Sequence, residues 1–558
     1  MKNKGSFIMI GTRQTARDTL PAMLFFLTMV LSIVTTYHVT GNYIDSDASS
    51  ELILAHQLSQ TGKILSQDWF YSTELRVLNT QLVYAPLFLV FDNWHMVRFF
   101  GAIILQIIML LSFAFLAQSA GLGKNTYLFS ATLLLLPVSV SYGRIVLYHC
   151  YYIPHISLSF FLLGLLLKIT GKTVWKRPGT YISLILLVVF SFIGGLGGIR
   201  QLMITHAPVL LCIVVLCLLE DDAEVNRASL LTSEKLSLIF GSLMAAAASF
   251  VGMKYNTEVL SKTYTFAKQA DNQLCFIDAA AWDDILNGFF HQFGFRKNIP
   301  MISLEGILSL GGIFAGIYFI LVSIRTLMKH QKGMDIKKAI LTAMPLFYTA
   351  IMIIVFLITA GQDDYYYPLY LTFCLSWAAP LLVLHMEEIS SEIHPLHSRR
   401  VFSWVVFVIL LANGFANLTF FNGSKVVDQP YEGLTFQEMD AKEKMSDVCT
   451  FLVANNYDIG YAPFWQGNIV TEITDGKIRI NNINLNRENG NISYYNWLTS
   501  LYLREVESEK PFLLLKSKYQ TYFENSDSLP YCALVYDDSQ YCVYDISDLE
   551  TFISLLHF

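Results

Sequence analysis

Charge is what this sequence has least of. Only 15% of its 558 residues are Asp, Glu, Lys or Arg, against about 25% in an ordinary globular domain, while 54% are hydrophobic. That deficit excludes a disordered chain, a basic nucleic-acid-binding protein and an ordinary soluble enzyme. Cysteine is also sparse. Eight residues with no Cys-x-x-Cys spacing and no Cys/His cluster give neither a disulfide scaffold nor a zinc site. No solenoid repeat and no long Pro- or Ser-rich linker divides the chain. The middles of its apolar runs contain almost no carboxylate, Glu305 near one end of its run being the exception, which argues against ion-coupled transport. The first apolar run is followed by Tyr37-His38-Val39-Thr40 rather than a small-residue cleavage site, so it reads as a retained anchor.

What is present is apolar and aromatic. The chain has 40 Phe, 30 Tyr and 8 Trp, a content that suits wide interfacial belts. Eleven runs approach the roughly 20 residues that a helix needs to cross a hydrocarbon core: 20–37, 96–120, 127–140, 153–167, 181–199, 202–219, 236–253, 302–324, 339–360, 369–385 and 401–420. The run 78–91, interrupted by Pro86, reads as interfacial. Lys and Arg set the orientation. Of the 28 basic residues before position 421, 18 fall in one alternate set of short loops, which places the N-terminus in the cytoplasm. Residues 421–558 have 10 basic and 20 acidic residues and form an acidic, polar tail outside the membrane. The expected organisation is thus a membrane domain over 1–420, with a first outer loop at 38–95, and an extracytoplasmic mixed α/β domain over 421–558.

Titratable groups and aromatics collect on the outer side. The first loop contains Asp45 and Asp47, followed by an amphipathic helix over 48–60 with Leu52, Ala55 and Leu58 at helical spacing. Asp47 is placed to cap that helix. A carboxylate held there could serve as a general base toward an acceptor hydroxyl. Arg144, Tyr148, His149 and Tyr151 fall in a second outer connection. Arg200 ends the glycine-rich turn 194–198, where backbone N–H groups and a guanidinium could together receive a phosphate. Glu74 and Arg76 in the first loop, and Asp363 and Asp364 beside Tyr365, Tyr366 and Tyr367, complete the candidates. In the tail, 439–455 reads as a helix. The segment 469–480 reads as a β-hairpin about Asp475-Gly476, with further strands at 512–515, 533–536 and 541–546. Phe464 and Trp465 are either core or a sugar-stacking pair.

A cytoplasmic N-terminus, one span, a long outer loop opening on an acidic pair and a helix, many further spans and an outer C-terminal domain: in this order the chain resembles the GT-C glycosyltransferases. That superfamily includes protein O-mannosyltransferases, the lipid A aminoarabinose transferase and oligosaccharyltransferases, but the stretches 67–76 and 460–465 resemble uncharacterised bacterial members rather than these enzymes. The resemblance implies a multi-pass α-helical, GT-C-like fold. It also implies an inverting transfer from a polyprenyl-phosphate sugar to a cell-wall glycan, a polymer or a lipid-linked acceptor at the outer face. The family's loop carboxylate maps onto Asp45 and Asp47, here as Asp-Ser-Asp, so that Asp47, or else Asp45, is the base. Arg200 would grip the donor phosphate, with Arg144 and His149 beside it. Glu74, Arg76, Asp363 and Asp364 would organise the loop or meet sugar hydroxyls. No cofactor is expected, although Asp45, Asp47, Asp363 and Asp364 would suffice as oxygen ligands for a divalent cation. Two alternatives stand beside this reading: an exporter or flippase of lipid-linked glycans with no chemistry, and a glycan polymerase or ligase.

Overall fold

A computed structural model describes residues 5–73, 75, 77–171, 177–218, 233–266, 281–330, 335–358, 370–391, 397–423 and 441–556. Glu74, Arg76, Asp363, Asp364 and Tyr365–Tyr367 lie outside the described residues. The chain is a multi-pass helical membrane protein with a C-terminal α/β domain. It opens with α1 (Gly5–Asn42), α2 (Ser46–Thr61), β1 (Trp69–Tyr71), α3 (Gln81–Leu87), α4 (Trp94–Ser119) and α5 (Lys124–Leu135). A short α6 (Val140–Tyr142) runs into a π-helical turn, Gly143–Tyr148. It is followed by α7 (Ile153–Lys168), α8 (Pro178–Leu196), a second π-helical turn at Leu202–His206, α9 (Ala207–Leu218) and α10 (Ser233–Glu258). Next come β2 (Thr265–Phe266), α11 (Ala281–His291), α12 (Leu304–His330) and α13 (Ile336–Ile358), then helices Phe373–Ser391 and His397–Asn422.

Among the described residues, seven helices are long and apolar enough to cross a membrane: Thr19–Asn42, Trp94–Ser119, Pro178–Leu196, Ser233–Lys262, Leu304–Met328, Ile336–Ile358 and Arg399–Asn422. The other four of the eleven expected runs are helical but differ in kind. Lys124–Leu135 and Val140–Tyr148 form one pair bent by 87°, and Ile153–Lys168 and Leu202–Leu218 are shorter apolar helices. Phe373–Ser391 is not in the set and ends near Glu387 and Glu388. The bend has a local cause. Leu136 is extended because the following Pro137 disfavours a helical conformation before it and offers no N–H. The run 78–91 yields only the seven-residue α3, in keeping with an interfacial segment.

Several polar side chains inside the bundle bond one another across helices, where lipid offers no partner. Gln106 on α4 accepts from Ser32 on α1 at 3.2 Å and donates to Thr36 Oγ1 (3.1 Å) and to the Leu147 carbonyl (2.9 Å). Gln201 donates to Ser159 (3.0 Å) and Thr205 (2.8 Å). Helices α8 and α10 approach so closely that a Cβ on Gly195 would stand 2.0 Å from the Ser249 carbonyl oxygen, and one on Gly252 would stand 2.1 Å from that of Phe192. Leucine at Gly195 must push the helices apart. The expected cost is about 1–3 kcal/mol or more, read as a fall in the thermal midpoint of the detergent-solubilised protein. Alanine at Gly179, where a Cβ meets open space, should leave the midpoint unchanged.

The tail folds around a six-stranded sheet. Its strands are β3 (Ile459–Pro463), β4 (Arg479–Leu485), β5 (Ile492–Tyr494), β7 (Phe512–Lys516), β8 (Cys532–Asp537) and β9 (Tyr541–Ile546), in the order β5-β4-β3-β7-β9-β8. Strand β3 is parallel to β4 and β7, and the remaining pairs are antiparallel. Side chains of β7 alternate between two cores. Phe512 and Leu514 pack with Val448, Leu452 and Val543, while Leu513 and Leu515 pack with Tyr461, Tyr544 and Phe552. A strand buried on both faces reads as an unbroken apolar run, which is what Phe512–Leu515 is. The expected helix is present as Ala441–Ala454.

The expected hairpin at 469–480 is not there. Phe464–Ile473 is a helix, and only Arg479–Leu485 is a strand. Asp475 and Gly476 both have positive φ, 50° and 73°, but they join a helix to a strand. Because β3 and β4 are parallel neighbours, their connection has to be a crossover rather than a tight turn, and Phe464–Ile473 is that crossover helix.

A second, three-stranded sheet joins two long loops to the tail. It pairs β1 of the first loop in parallel with β2, and antiparallel with β6 (Thr499–Ser500) of the tail. Three segments more than 190 residues apart in the chain thus share one face of the molecule.

Candidate functional site

Asp45, not Asp47, caps α2. Its Oδ1 accepts the Ala48 N–H at 2.8 Å, and the helix starts at Ser46, two residues before the expected position. The reason is tertiary. Asp45 stands at the end of the turn from α1, where groups from the second outer connection converge on it, whereas Asp47 lies in the first helical turn. The Asp45 carboxylate is 1% exposed and both of its oxygens are engaged. Oδ1 also accepts from the Tyr151 hydroxyl. Oδ2 accepts from Arg144 Nη2 at 3.0 Å and lies 2.9 Å from His149 Nδ1. Burial alone would raise its pKa, but His149, Arg144 and Tyr151 together hold the carboxyl well below the usual range. It is a fixed anion.

The segment presenting these partners is irregular. Arg144 lies in the π-helical turn Gly143–Tyr148, a geometry common at functional positions. Two residues beyond that turn, Cys150 has φ of 61°, a left-handed conformation that a non-glycine residue holds only under tertiary constraint. The strained residue separates His149 from Tyr151 and lets both reach Asp45. His149 Nε2 lies 3.3 Å from the Tyr43 carbonyl oxygen, which fixes the other edge of the ring. Burial first, and then the charges of Asp45 and Asp47, raise the Tyr151 pKa well above the usual phenol value. Tyr151 is therefore a hydrogen-bond donor throughout the physiological range, and it feels both carboxylates. Asp47 itself is only partly buried.

Arg200 reaches the same segment from another direction. Its guanidinium lies 5.0 Å from the ring centre of Tyr152, the neighbour of Tyr151, with Nη1 3.3 Å from His155 Nε2. The glycine-rich run before it does less than expected. Gly194 and Gly195 belong to α8, and the N–H groups of Gly197 and Gly198 close onto the Gly194 and Gly195 carbonyls at 3.2 and 2.9 Å. Those N–H groups are satisfied inside the turn, so the phosphate nest expected there is not formed, and Arg200 alone is left from that constellation.

A further set of buried charges was not read as part of a site. Glu51 on α2 accepts from Thr80 Oγ1 at 2.6 Å and is 5% exposed. Arg98, near the start of α4, donates through Nε to Glu472 Oε1 at 2.7 Å and through Nη2 to Glu472 Oε2, and both side chains are almost wholly buried. Ser49 on α2 donates to the same Glu472 at 2.7 Å. Arg98 had a legible signal, being an ionisable residue within an apolar run. Glu472 had none, because its partner is 374 positions away. Phe464 and Trp465 divide: Phe464 is core and packs with the first-loop residues Leu54, Leu58 and Trp69, while Trp465 is exposed.

N–H and O–H donors fill the oxygens of Asp45, and Asp363 and Asp364, the other carboxylates expected beside it, lie outside the described residues. Among the described residues no three His, Cys, Asp or Glu side chains converge as metal ligands do.

No family model matches the sequence, and no curated protein matches it. Its fold does have solved counterparts. ArnT from Cupriavidus metallidurans in the apo state is similar with a TM-score of 0.52 at 10% identity, over 97% of this chain and 100% of that one. A structure of the same protein bound to undecaprenyl phosphate gives 0.48 at 10% identity, over 96% and 99%. The Archaeoglobus fulgidus oligosaccharyltransferase AglB, in complex with an inhibitory peptide and a dolichol-phosphate, gives 0.47 at 10% identity, over 94% and 74%. The fold of the chain is thus similar to that of ArnT over nearly its whole length.

Proposed function

We propose that the chain is a membrane glycosyltransferase that moves a sugar from a polyprenyl phosphate to an acceptor hydroxyl of an envelope glycan, polymer or lipid, at the outer face of the membrane. The observation that carries this reading is the division of labour between two carboxylates at the head of one helix. Asp45 is saturated with donors and fixed as an anion, while Asp47, two residues on, is only partly buried. A base must be able to receive a proton. Asp45, stabilised as a carboxylate on every side, is unsuited to that, and Asp47 is suited. In the transfer the acceptor oxygen attacks the anomeric carbon on the face opposite the phosphate. Its proton passes to Asp47, and the bond between that carbon and the phosphate oxygen breaks with its electron pair on the phosphate. One displacement inverts the anomeric centre. Arg200 is assigned the departing phosphate, where a planar guanidinium offers paired donors. Arg144 and His149 are assigned to Asp45 rather than to the donor.

The GT-C-type fold supports this reading, and ArnT, which shares it, is known with undecaprenyl phosphate bound. The outer-face assignment is supported by the small sheet joining both long loops to the tail, opposite the loops that hold 18 of the 28 basic residues of the membrane domain. The test is to supply the reconstituted chain with undecaprenyl-phosphate glucose, mannose and galactose, with and without an envelope glycolipid fraction. Protein-dependent release of undecaprenyl phosphate is expected from at least one donor. Movement of the intact lipid between leaflets without release overturns the proposal in favour of a flippase. Arg200→Lys keeps the charge but loses the fork and the stacking on Tyr152. Its affinity for undecaprenyl phosphate should fall by about tenfold, roughly 1.4 kcal/mol, measured by titration in detergent.

A further inference from the structure

Helix Phe464–Ile473 of the tail lies against the first turn of α2, and its contacts fall on the residues flanking Asp47. The Ser46 hydroxyl donates to the Phe464 carbonyl. Asn468 Nδ2 donates to the Ser46 carbonyl at 3.3 Å, and Asn468 is itself held by Asn482 of β4 at 2.9 Å. Ser49 donates to Glu472 at 2.7 Å. Glu472 in turn is anchored to the membrane domain by its paired bonds to Arg98. One carboxylate therefore bridges a spanning helix and the helix that presents Asp47. Asp475, at the end of the same tail helix, accepts the Trp94 N–H at the start of α4 at 2.8 Å. All these groups are buried, except for Asp475, which is exposed.

From this juxtaposition we infer that the tail domain is a component of the active site rather than a separate glycan-binding module, and that Glu472 is a positioning residue that sets Asp47 through Ser49. The inference rests on Asp47 being the base. A module that only bound substrate would need to touch the membrane domain at its own edge. Here the bonds run to two polar positions of one helical turn, Ser46 and Ser49, on either side of Asp47. A buried ion pair replaced by apolar residues of similar size is often neutral in stability, whereas removing one partner is not. This separates positioning from mere cohesion.

Four full-length proteins in proteoliposomes test the inference: wild type, Ser49→Ala, Glu472→Gln and the double variant Arg98→Met/Glu472→Met. The readouts are amide hydrogen exchange over residues 46–52, thermal midpoint, and kcat and KM for release of undecaprenyl phosphate from undecaprenyl-phosphate glucose, or from mannose or galactose where those are the donors used. Exchange over 46–52 should rise at least tenfold in Ser49→Ala and Glu472→Gln, and kcat should fall at least tenfold with KM for the donor little changed. The double variant should recover the thermal midpoint but not kcat. Recovery of kcat together with the midpoint, or unchanged exchange over 46–52 in Glu472→Gln, overturns the positioning role. The exchange measurement needs no turnover. A wild-type protein that releases no undecaprenyl phosphate would overturn the proposed function, while exchange still decides whether the tail fixes this turn.

Discussion

Replacing Asp47 by Asn is expected to lower the rate of sugar release by about 10²- to 10⁴-fold, the usual contribution of a positioned general base. The fold should be spared. Asp47 is partly exposed and lies in the first turn of α2, and the cap of that helix belongs to Asp45. Asparagine is nearly isosteric and removes only the capacity to accept a proton and the negative charge. Affinity for undecaprenyl phosphate should be kept, because Asp47 is assigned to the acceptor side of the anomeric carbon, opposite the phosphate. Tyr151 provides a second readout. Its pKa is raised first by burial and then by the charges of Asp45 and Asp47. Asp47→Asn should therefore lower the Tyr151 titration, followed by ultraviolet difference absorbance.

Asp45→Asn should give the opposite pattern. Asparagine is as good a helix cap as aspartate, so the Ala48 bond survives and the change isolates the charge. What is lost is the anion that Arg144 and His149 face in a buried site, and breaking such an arrangement from one side costs about 3–5 kcal/mol. The expected result is a large fall in thermal midpoint, with activity lost in proportion to folded protein. Arg144→Met added to Asp45→Asn should regain part of the midpoint. The pH dependence has a definite sign. The folded-state pKa of Asp45 is depressed below its ordinary 3.8. Its contribution to stability is therefore fully present above that value and is lost as pH falls through the lower folded value. Acid titration of the wild type should show this loss below pH 3.8, and Asp45→Asn should abolish that part of the profile.

Seven of the eleven runs were legible as spans because lipid imposes a one-dimensional rule, about 20 apolar residues per crossing, and among the described residues those seven are helices long and apolar enough to cross. Their grading was less legible. Pro137 splits one run at 87°, and a run of the right composition but shorter length, such as Ile153–Lys168, packs inside the bundle instead of facing lipid. The acidic pair was legible as the opening of α2, but the cap fell on Asp45 rather than Asp47. Nothing local separates Asp45 from Asp47 as a cap. The choice was made by Arg144, His149 and Tyr151, about 100 positions away. The segment 469–473 shows the same limit. Ile469, Val470 and Ile473 satisfy a helical spacing as well as the alternation of a strand. The surface of α2 and the parallel pairing of β3 with β4 decided between them. Glycines 194–198 were read for chemistry because Gly-rich turns bind phosphate, yet Gly195 is required by the approach of α10. Contacts across 374 residues, such as Arg98 with Glu472, have no periodic or compositional trace.

The most direct test of the account is the rate of undecaprenyl phosphate release per folded molecule in Asp47→Asn and Asp45→Asn proteoliposomes, each set against its own thermal midpoint. The account expects Asp47→Asn to keep the wild-type midpoint and lose at least 10²-fold in rate, a loss within the range for a general base. It expects Asp45→Asn to lose midpoint and to retain most of its rate per molecule that remains folded. A wild-type rate in folded Asp47→Asn, with the loss falling on folded Asp45→Asn instead, would contradict it.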